Sequence, residues 1–519
     1  MHYRTPPGLT PVNPVRSCAA YSYLTHPMQA VPFFETAGTP VQEQSRLLLL
    51  SYHFPPSQAV GALRWQKLSH FAAARSWGID VVTLDPSSQQ DADPSRLADL
   101  PPGVRVFGIP DAALRIDRVE NVVWGWCRPL VSRLRSGNDR GGSSPGRARE
   151  RTGSFGRHEV RWLPRTARDL VRPYYALLDY DRGNQWADRA TRLALATIRP
   201  NIHRIVVSCG PPHMAHEAGR RVAETARLPL VMDLRDPWSF MQRIPEAMAH
   251  PVWWWLAARH ERRAVRRATL VVANTELARR ELARRYPEWR DRFISVMNGY
   301  DQEPIPASGE RRRFIIAYAG SIYLDRNPRL LFRGARHVID ELHLSPSEFG
   351  IDFIGNVEHY DGTSIRDMAR EEGIEPYVTS GPPRPRREAM EFLARAAMLV
   401  SLPQDSDMAI PSKVFEYMQF DAWLLALAEP GSATGLLLEG THADVVAPHD
   451  VQAIAAVLHR RYLEHAAGVR PSRIARHERF SRAHQAGVLF DAIEERIGRP
   501  DAALVPQLDA APTLTSAPH

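Results

Sequence analysis

Short apolar segments that alternate with helical segments constrain the fold of this chain more than any other feature. The first of them, Arg-Leu-Leu-Leu-Leu-Ser at residues 46–51, is stopped by the proline pair Pro55-Pro56. A helical segment at residues 62–76 and a second apolar segment at residues 79–84 follow. Continuous apolar runs of this length are typical of strands that a parallel sheet buries on both faces. The order strand, helix, strand therefore predicts an α/β fold with parallel sheets.

The alternation is interrupted once, near the middle of the chain. Asn298-Gly299-Tyr300-Asp301 and a polar segment at residues 304–309 separate two series of predicted strands. Asparagine and glycine tolerate positive φ, so we expect a tight turn at this hinge. Further predicted strands lie at residues 205–209, 229–234, 269–273 and 293–297 before it, and at residues 314–319, 351–354, 377–379, 398–402 and 423–427 after it. The pattern predicts two Rossmann-like domains that face a cleft, at residues 45–302 and 310–471.

Four segments lie outside these two domains. Residues 1–44 have several prolines and no sustained period, which predicts a poorly ordered extension. Residues 134–160 are rich in glycine, serine and arginine and predict a mobile basic insertion. A long helix at residues 472–497 is expected to close the fold, and residues 498–519 are expected to form a disordered tail.

Arginine accounts for 64 of the 66 basic residues, because Lys67 and Lys413 are the only lysines. This bias is typical of a GC-rich genome and is not by itself a signature of nucleic-acid binding. The net charge of +8 permits attraction to phosphates or to an anionic membrane surface. No zinc finger, RNA-binding aromatic motif or basic-leucine repeat accompanies the charge, so we expect no nucleic-acid partner.

Cysteine usage and hydropathy indicate the compartment. The three cysteines are widely spaced and odd in number, which fits a reducing compartment and excludes a disulfide scaffold. No apolar run approaches the roughly 18–20 residues that cross a bilayer. Residues 1–40 lack the basic and apolar regions of a secretory signal. We expect a cytoplasmic protein that is soluble or peripheral at the inner face of the membrane.

The most informative motif is Ile410-Pro-Ser-Lys-Val-Phe-Glu416, which opens a helix after the predicted strand at residues 398–402. The first N–H groups of a helix at the carboxyl end of a strand favour an anion. Lys413, with Ser412 beside it, opposes the helix dipole unless an anion offsets its charge. Glu416, three residues later, can accept from two ribose hydroxyls. The motif predicts a site for the diphosphate and ribose of a nucleotide, with a surface Lys–Glu pair as the alternative.

Six motifs together resemble one enzyme family. They are Phe54-Pro55-Pro56 with Gly61 and Arg64, Ser208-Cys-Gly-Pro-Pro212, Asp233-Leu-Arg-Asp-Pro-Trp238, Asn298-Gly-Tyr-Asp301, Tyr318-Ala-Gly320 and Ile410-Pro-Ser-Lys-Val-Phe-Glu416. Their order over residues 46–496 resembles that of retaining glycosyltransferases of the GT-B fold, in glycosyltransferase family four. The chain is especially similar to bacterial members that act in cell-surface polysaccharide synthesis.

The resemblance implies roles for residues of the second domain. Glu416 matches the second glutamate of the family's Glu-x7-Glu pair and would hold the donor ribose. The first glutamate falls on Met408, so the contact to the donor sugar is altered, and Asp405 or Asp407 can take it over by a short loop shift. No metal ligands are evident, and we expect a metal-independent enzyme without a cofactor.

The resemblance also implies a grip on the donor diphosphate. In the family, an arginine and a lysine follow the glycine that ends the first strand of this domain. Here Ser321 follows Gly320 in the arginine position, and Arg326 stands in the lysine position. Arg326 and Lys413 are therefore expected to bind the diphosphate together.

In the first domain, Gly61 would let backbone approach the donor phosphate or the acceptor, and Arg64 would face the cleft. Asp236 or Asp233, with Arg235 between them, would act as the acceptor base or orient an acceptor hydroxyl, because they follow a strand's carboxyl end. The alternatives are a plain strand-to-helix turn at Gly61, a solvated Arg64 and an internal Asp–Arg pair that shapes the loop.

Three further features have competing interpretations. His213 and His216 can donate to a phosphate or sugar oxygen, or they can cap a helix. Trp253-Trp254-Trp255, with five arginines at residues 259–267, resembles an interfacial aromatic and basic face, although a core helix with a solvated side is favoured. Asp179-Tyr180-Asp181 fits an Asp-x-Asp metal signature but follows a predicted helix, so we assign it no metal.

The sequence thus predicts an enzyme that moves a sugar, of hexosyl or N-acetylhexosaminyl type, from a nucleoside diphosphate sugar to a hydroxyl of a glycan or lipid-linked glycan, with retention of configuration. A nucleotide-sugar 2-epimerase of the same fold and a non-catalytic nucleotide-sugar-binding protein are the alternatives. Met408 in place of the first glutamate is the reason to keep the second of these. An anionic membrane surface is a further expected partner.

Overall fold

The computed structural model describes residues 30–36, 45–89, 92–110, 165–241, 244, 248–307, 309, 311–323, 325–404, 406–474 and 478–498, with the backbone alone at residues 165–171. The predicted insertion at residues 134–160 lies outside these ranges. So do the predicted extension at residues 1–44 and the predicted tail at residues 498–519, except for residues 30–36 and Gly498.

The first half of the chain builds an eight-stranded sheet in the order β1-β4-β3-β2-β5-β6-β7-β8. The strands are β1 (Phe34–Glu35), β2 (Arg46–Ser51), β3 (Gly78–Leu84), β4 (Val104–Ile109), β5 (His203–Gly210), β6 (Leu230–Leu234), β7 (Leu270–Ala273) and β8 (Phe293–Ser295). All neighbours are parallel except β1 and β4. Because β1 pairs with the sheet edge, part of the predicted extension is ordered structure.

Helices connect these strands, as the alternating pattern predicts. They are α1 (Val60–Ala74), α2 (Ser95–Ala98), α3 (Arg165–Thr197), α4 (Met214–Ala226), α5 (Pro251–Arg267) and α6 (Glu276–Arg285). The tripeptide Asp179-Tyr180-Asp181 lies inside the 33-residue helix α3, and not after a helix as expected.

The second half builds a six-stranded parallel sheet in the order β13-β10-β9-β14-β15-β16. Its strands are β9 (Phe314–Ala319), β10 (Phe349–Ile354), β13 (Val378–Gly381), β14 (Met398–Ser401), β15 (Trp423–Leu427) and β16 (Asp444–Val446), with a small hairpin of β11 (His359–Tyr360) and β12 (Thr363–Ser364). Its helices are α7 (Arg329–Leu342), α8 (Ile365–Glu371), α9 (Arg386–Arg395), α10 (Ser412–Tyr417), α11 (Ala433–Leu438) and α12 (Val451–Ala466). Strands β2–β7 and these six follow the same doubly wound order, so the prediction of two Rossmann-like domains is confirmed.

The last helix, α13 (Arg482–Ile497), returns to the first sheet. Its apolar side chains pack into the core that covers one face of that sheet, with Leu489, Phe490 and Ile493 buried. The helix starts ten residues later than predicted, because the Ser481 hydroxyl accepts from the backbone N–H of His484 at 3.1 Å and caps it there. A closing helix is confirmed, and its predicted start at residue 472 is wrong.

The returning chain runs against the hinge. The N–H of Arg482 donates to the carbonyl of Tyr300 at 2.8 Å. Gly299 has a φ of +68°, and a Cβ at this position would lie 2.7 Å from the backbone nitrogen of Arg482. The hinge glycine is required both by its backbone conformation and by this close approach.

A buried ionic network joins four strands at the amino end of the first sheet. Asp80 is fully buried and accepts from Nε of Arg46 at 2.9 Å and from Nε of Arg105 at 2.8 Å. Nδ1 of His203 accepts from the N–H of Arg199 at 2.9 Å, so Nε2 carries the proton and donates to Asp80 at 3.0 Å. Burial alone would raise the pKa of Asp80, but these hydrogen bonds and the arginine charges lower it below its ordinary value.

Candidate functional site

Two loops meet at the carboxyl edge of the second sheet. Strands β9 and β14 are parallel neighbours, and β9 ends at Ala319 while β14 ends at Ser401. The chain leaves these two strands toward opposite ends of the sheet, since β10 follows β9 on one side and β15 follows β14 on the other. Such a switch point forms a crevice in which open α/β sheets bind ligands.

Lys413 lies directly over Gly320 in this crevice. Its Nζ is 3.7 Å from the centre of the Tyr318 ring, a cation–π distance. The same Nζ is 2.5 Å from the place that a Cβ on Gly320 would take, and Gly320 has a φ of +142°. On the adjacent loop, a Cβ at Gly355 would lie 2.0 Å from the carbonyl oxygen of Gly320, so only glycine fits at this position. The structure therefore brings together Lys413 and Gly320, which the sequence analysis assigned to the diphosphate.

Tyr417 fixes the short helix α10 against the end of β9. Its buried hydroxyl accepts from the N–H of Ala319 at 2.9 Å and lies 3.2 Å from the carbonyl of the same residue, to which it donates. Burial raises the pKa of Tyr417, so the hydroxyl keeps its proton and can donate. Sequence reasoning missed this residue, although its spacing of four from Lys413 places both on one side of the helix.

Glu416, the expected ribose ligand, is part of an ion pair. Its Oε1 lies 2.7 Å from Nη1 of Arg386, the first residue of α9. The same guanidinium donates to Oε2 of Glu303 at 2.7 and 3.0 Å. Arg386 thereby holds the carboxylate of Glu416 in one orientation. Sequence reasoning missed Arg386, since it lies thirty residues before its partner and follows a different strand.

Lys67 continues this chain of charges into the first domain. Its Nζ is 3.6 Å from Oδ2 of Asp301 and 3.7 Å from Oε1 of Glu303, both in the segment that links the domains. Asp301 also accepts from Nε of Arg482 at 2.6 Å. The other lysine of the chain therefore contacts the segment that links the domains.

Ser321 and Arg326 lie in the loop after β9, as predicted. The Ser321 carbonyl accepts from the Tyr318 hydroxyl at 2.7 Å, which fixes the loop beside Gly320. The guanidinium of Arg326 stacks on the Tyr323 ring, with its carbon 4.2 Å from the ring centre. Of the two cations expected at the diphosphate, Lys413 is the one placed over the strand-ending glycine.

Gly61 and Arg235 occupy the corresponding switch point of the first sheet, between β2 and β5. Gly61 belongs to the first turn of α1 and not to a loop, and a Cβ there would collide with the guanidinium of Arg235. Arg235 donates from Nε to the Gly210 carbonyl at 3.3 Å and from Nη2 to the Pro211 carbonyl. The absence of a side chain at Gly61 thus makes room for Arg235.

Arg64 does not face the cleft as expected. It is buried, and its Nε and Nη2 donate to the two carboxylate oxygens of Asp233 at 2.9 and 3.0 Å. Its other N–H groups reach Asn298, Asn274 and the Val296 carbonyl. Asp233 is fully buried and also accepts from the Trp65 indole at 2.8 Å. The internal Asp–Arg pair that was the alternative exists, but its arginine is Arg64 and not Arg235.

Asp236 remains at the surface of the site and shares a small pocket with Met408. The pocket lies between the two domains, has a volume of about 10 Å³, which is room for about one water molecule, and is also lined by Arg235, Asn274 and Phe240. The Met408 carbonyl accepts from the hydroxyl of Thr275 in the first domain at 2.7 Å. The residue in the position of the first glutamate is therefore part of the contact between the domains.

Asp405 and Asp407 were the two carboxylates expected to replace this glutamate, and the structure describes only Asp407. Asp407 is exposed, and its backbone carbonyl accepts from the N–H of Ala433 at 2.6 Å. Asp405 lies outside the residues that the structure describes.

His213 and His216 are buried behind Arg235. The imidazole of His213 stacks on Trp238, with ring centres 5.2 Å apart, and Nδ1 of His216 lies 3.0 Å from Oγ of Ser208. Burial, and then the charge of Arg235, lower the pKa of His216 to about 3. Burial, and then the neighbouring His216, lower the pKa of His213 well below its ordinary value. Both rings are therefore neutral at physiological pH. Neither side chain caps α4, so the capping interpretation is wrong.

Solved structures show the class of fold. The chain is similar to the N-terminal domain of trehalose-6-phosphate phosphatase from Candida albicans, with 11% identity over 90% of this chain and 97% of that one and a TM-score of 0.52. It is also similar to sucrose-phosphate synthase from Thermosynechococcus elongatus, with 12% identity over 87% and 100% of the chains and a TM-score of 0.50. The α,α-trehalose 6-phosphate synthase from Burkholderia multivorans gives 11% identity over 87% and 97%, with a TM-score of 0.50.

These similarities, together with the doubly wound order of both sheets, show that the chain has the GT-B fold. No family model and no curated protein matches the sequence.

Proposed function

We propose that this protein is a glycosyltransferase that transfers a sugar from a nucleoside diphosphate sugar to an acceptor hydroxyl. The observation that carries the proposal is the placement of Lys413 over Gly320 at the switch point of the second sheet, with Glu416 on the same helix. A compact ammonium beside a glycine backbone suits a diphosphate, and a carboxylate three residues away suits the two hydroxyls of a ribose. The GT-B fold supports this assignment.

The donor side would stabilise the departing nucleoside diphosphate. Negative charge develops on the diphosphate as the glycosidic bond breaks, so Lys413 and Arg326 would bind the transition state more strongly than the ground state. Ser412 is the first residue of α10 and Ser321 follows Gly320, and both hydroxyls would donate to the same phosphates. Because these cations neutralise the leaving group, we expect turnover to persist in the presence of a chelator such as EDTA.

The acceptor side would use Asp236. Asp233 is buried under three N–H donors, whereas Asp236 lines the pocket between the domains. A half-buried carboxylate at the carboxyl end of β6 can orient an acceptor hydroxyl, and Arg235 beside it would attract an anionic substrate group. Following the family resemblance, we propose retention of configuration, a hexosyl or N-acetylhexosaminyl donor and a glycan or lipid-linked glycan acceptor at the inner face of the membrane.

The test is a thermal-shift panel with uridine, guanosine, adenosine and thymidine diphosphates. A ligand that binds the native state raises its melting temperature, so one of these should stabilise the protein. Lys413→Ala and Glu416→Gln should abolish that shift, whereas Lys67→Ala, which removes the only other lysine, should keep it.

Turnover assays then separate the possible activities. If the wild type releases nucleoside diphosphate from a donor sugar and Lys413→Ala does not, the transferase is supported. Isomerisation of the sugar without diphosphate release would indicate an epimerase, and tight binding without turnover on any donor would indicate a binding protein. Either of the last two results contradicts the proposal.

A further inference from the structure

The solvent side of helix α5 combines one exposed tryptophan with a row of arginines. Trp255, Arg259, Arg262 and Arg266 follow each other at spacings of four, three and four residues, which places them along one face of a helix. Trp255 is 59% exposed and Arg262 is 69% exposed. The guanidinium of Arg259 lies 5.5 Å from the centre of the Trp255 ring, so aromatic and basic groups form one surface. We call these four residues the α5 face.

The α5 face contributes nothing to the core. The opposite side of the helix carries the buried residues, among them Trp253, Ala257 and Ala264, which pack into the core of the first domain. The indole of Trp253 donates to Asp179 of α3 at 3.1 Å. Trp253 is therefore a core residue, whereas Trp255, two residues later, is exposed to solvent.

Acidic groups near the α5 face neutralise little of its charge. Glu288 lies 3.9 Å from Arg262, a distance at which exposed charges interact weakly. Glu217, 3.9 Å from Arg263, is fully buried and already accepts from Arg220 and Arg221.

From this combination we infer that the α5 face docks on an anionic lipid bilayer. A tryptophan flanked by arginines is matched to the headgroup region, where the indole lies at the interface and the guanidinium groups meet lipid phosphates. Among the described residues, no helix is both long enough and apolar enough to span a membrane, so the contact is peripheral.

Helix α5 also holds the loop of the acceptor side. Glu261, on its buried side, accepts from the N–H of Ser239 at 2.9 Å and from its hydroxyl at 2.7 Å. Ser239 is three residues after Asp236, and the intervening Trp238 donates to the Tyr180 hydroxyl of α3 at 3.2 Å. The docking surface and the acceptor loop thus belong to one packed unit. Resting on the proposed function, this assigns the acceptor to the bilayer itself, as a lipid-linked glycan.

Sedimentation of the full chain with vesicles tests the docking. The vesicles are phosphatidylcholine alone and phosphatidylcholine with phosphatidylglycerol, at low and at high salt. We expect binding to the anionic vesicles at low salt only. Each arginine near a charged bilayer contributes about fivefold in affinity, so Arg262→Ala with Arg266→Ala should weaken binding roughly 20- to 30-fold. Trp255→Ala should also weaken vesicle binding, and this variant should melt at the temperature of the wild type.

A matched control removes two exposed arginines from the second domain. Arg366→Ala with Arg387→Ala changes the net charge equally, and these side chains are 75% and 90% exposed. Docking on the α5 face is overturned if the control weakens vesicle binding as much as the α5 pair, if neutral vesicles bind equally, or if RNA binds through the same arginines while vesicles do not. Nucleoside diphosphate binding, measured by thermal shift on the same variants, separates a failure of docking from a failure of the proposed function.

Discussion

Exchange of Asp233 for asparagine should unfold the first domain at a lower temperature rather than act on the chemistry. The carboxylate accepts three N–H groups, two from Arg64 and one from Trp65, and both charged residues are buried. Asparagine keeps the shape but has only one acceptor oxygen, and its NH₂ group would face an arginine N–H. Removing one partner of a buried ion pair costs about 3–5 kcal/mol, because the other charge stays desolvated.

The expected effect is large enough to measure without ambiguity. At about 2–4 °C per kcal/mol for a domain of this size, Asp233→Asn should lower the melting temperature by roughly 10 °C. Differential scanning calorimetry or circular dichroism measures it. Asp236→Asn is the matched control, since it makes the same chemical change three residues away on a half-buried carboxylate. That variant should melt within about 2 °C of the wild type and lose turnover.

The opposite pattern would refute this assignment. If Asp233→Asn melts at the wild-type temperature and has lost turnover, Asp233 takes part in the reaction and the pair with Arg64 is not a structural requirement. Turnover is to be measured at a temperature at which both variants are folded, so that loss of structure is not mistaken for loss of chemistry.

Three further predictions concern the donor site and the buried network. Gly320→Ala places a Cβ 2.5 Å from Nζ of Lys413 at a φ of +142°, so calorimetric titration should show nucleoside diphosphate affinity reduced at least about tenfold. Arg386→Ala removes the partner that orients Glu416, and we expect a several-fold loss of donor affinity with stability changed by less than about 1 kcal/mol, since the pair is partly exposed. Folding lowers the pKa of Asp80 below its value near 3.8 in the unfolded chain. The ionised carboxylate therefore stabilises the folded protein at pH values above 3.8, and this stabilisation is lost as the pH falls below 3.8. Urea denaturation at about pH 3 and about pH 7 should therefore show a smaller loss of unfolding free energy on acidification in Asp80→Asn than in the wild type.

The sheets are predictable from the sequence because their strands are buried on both faces. The strands Arg46–Ser51, Phe314–Ala319 and Trp423–Leu427 have the bounds that the apolar runs predict. Strand β4, Val104–Ile109, is not recognisable in the same way, since Arg105 interrupts its apolar run. That arginine can be buried only because Asp80 of the neighbouring strand accepts its hydrogen bonds, and a single segment does not contain this information.

The dependence on contacts between distant segments also explains which predictions failed at the candidate site. Residues that follow strand ends, such as Lys413 and Gly320, were found because parallel strands bring their carboxyl ends to one edge. Which charges pair there depends on distant segments: Arg64 and Asp233 are 169 residues apart and neutralise each other, so neither is the free group that its position suggested. Asp236 keeps its proposed role because it lies just beyond the carboxyl end of β6 and lines the pocket between the domains.

The ion pairs around Glu416 extend beyond the motif that contains it. Glu416 is paired with Arg386, Arg386 with Glu303, and Glu303 lies 3.7 Å from Lys67 on the first helix of the other domain. A ribose that binds Glu416 must therefore share this carboxylate with a guanidinium that is itself tied to the segment between the domains. The motif predicts where the ligand binds, whereas the charge that orients Glu416 comes from Arg386 on another helix, so Arg386→Ala complements Lys413→Ala as a test of the proposed site.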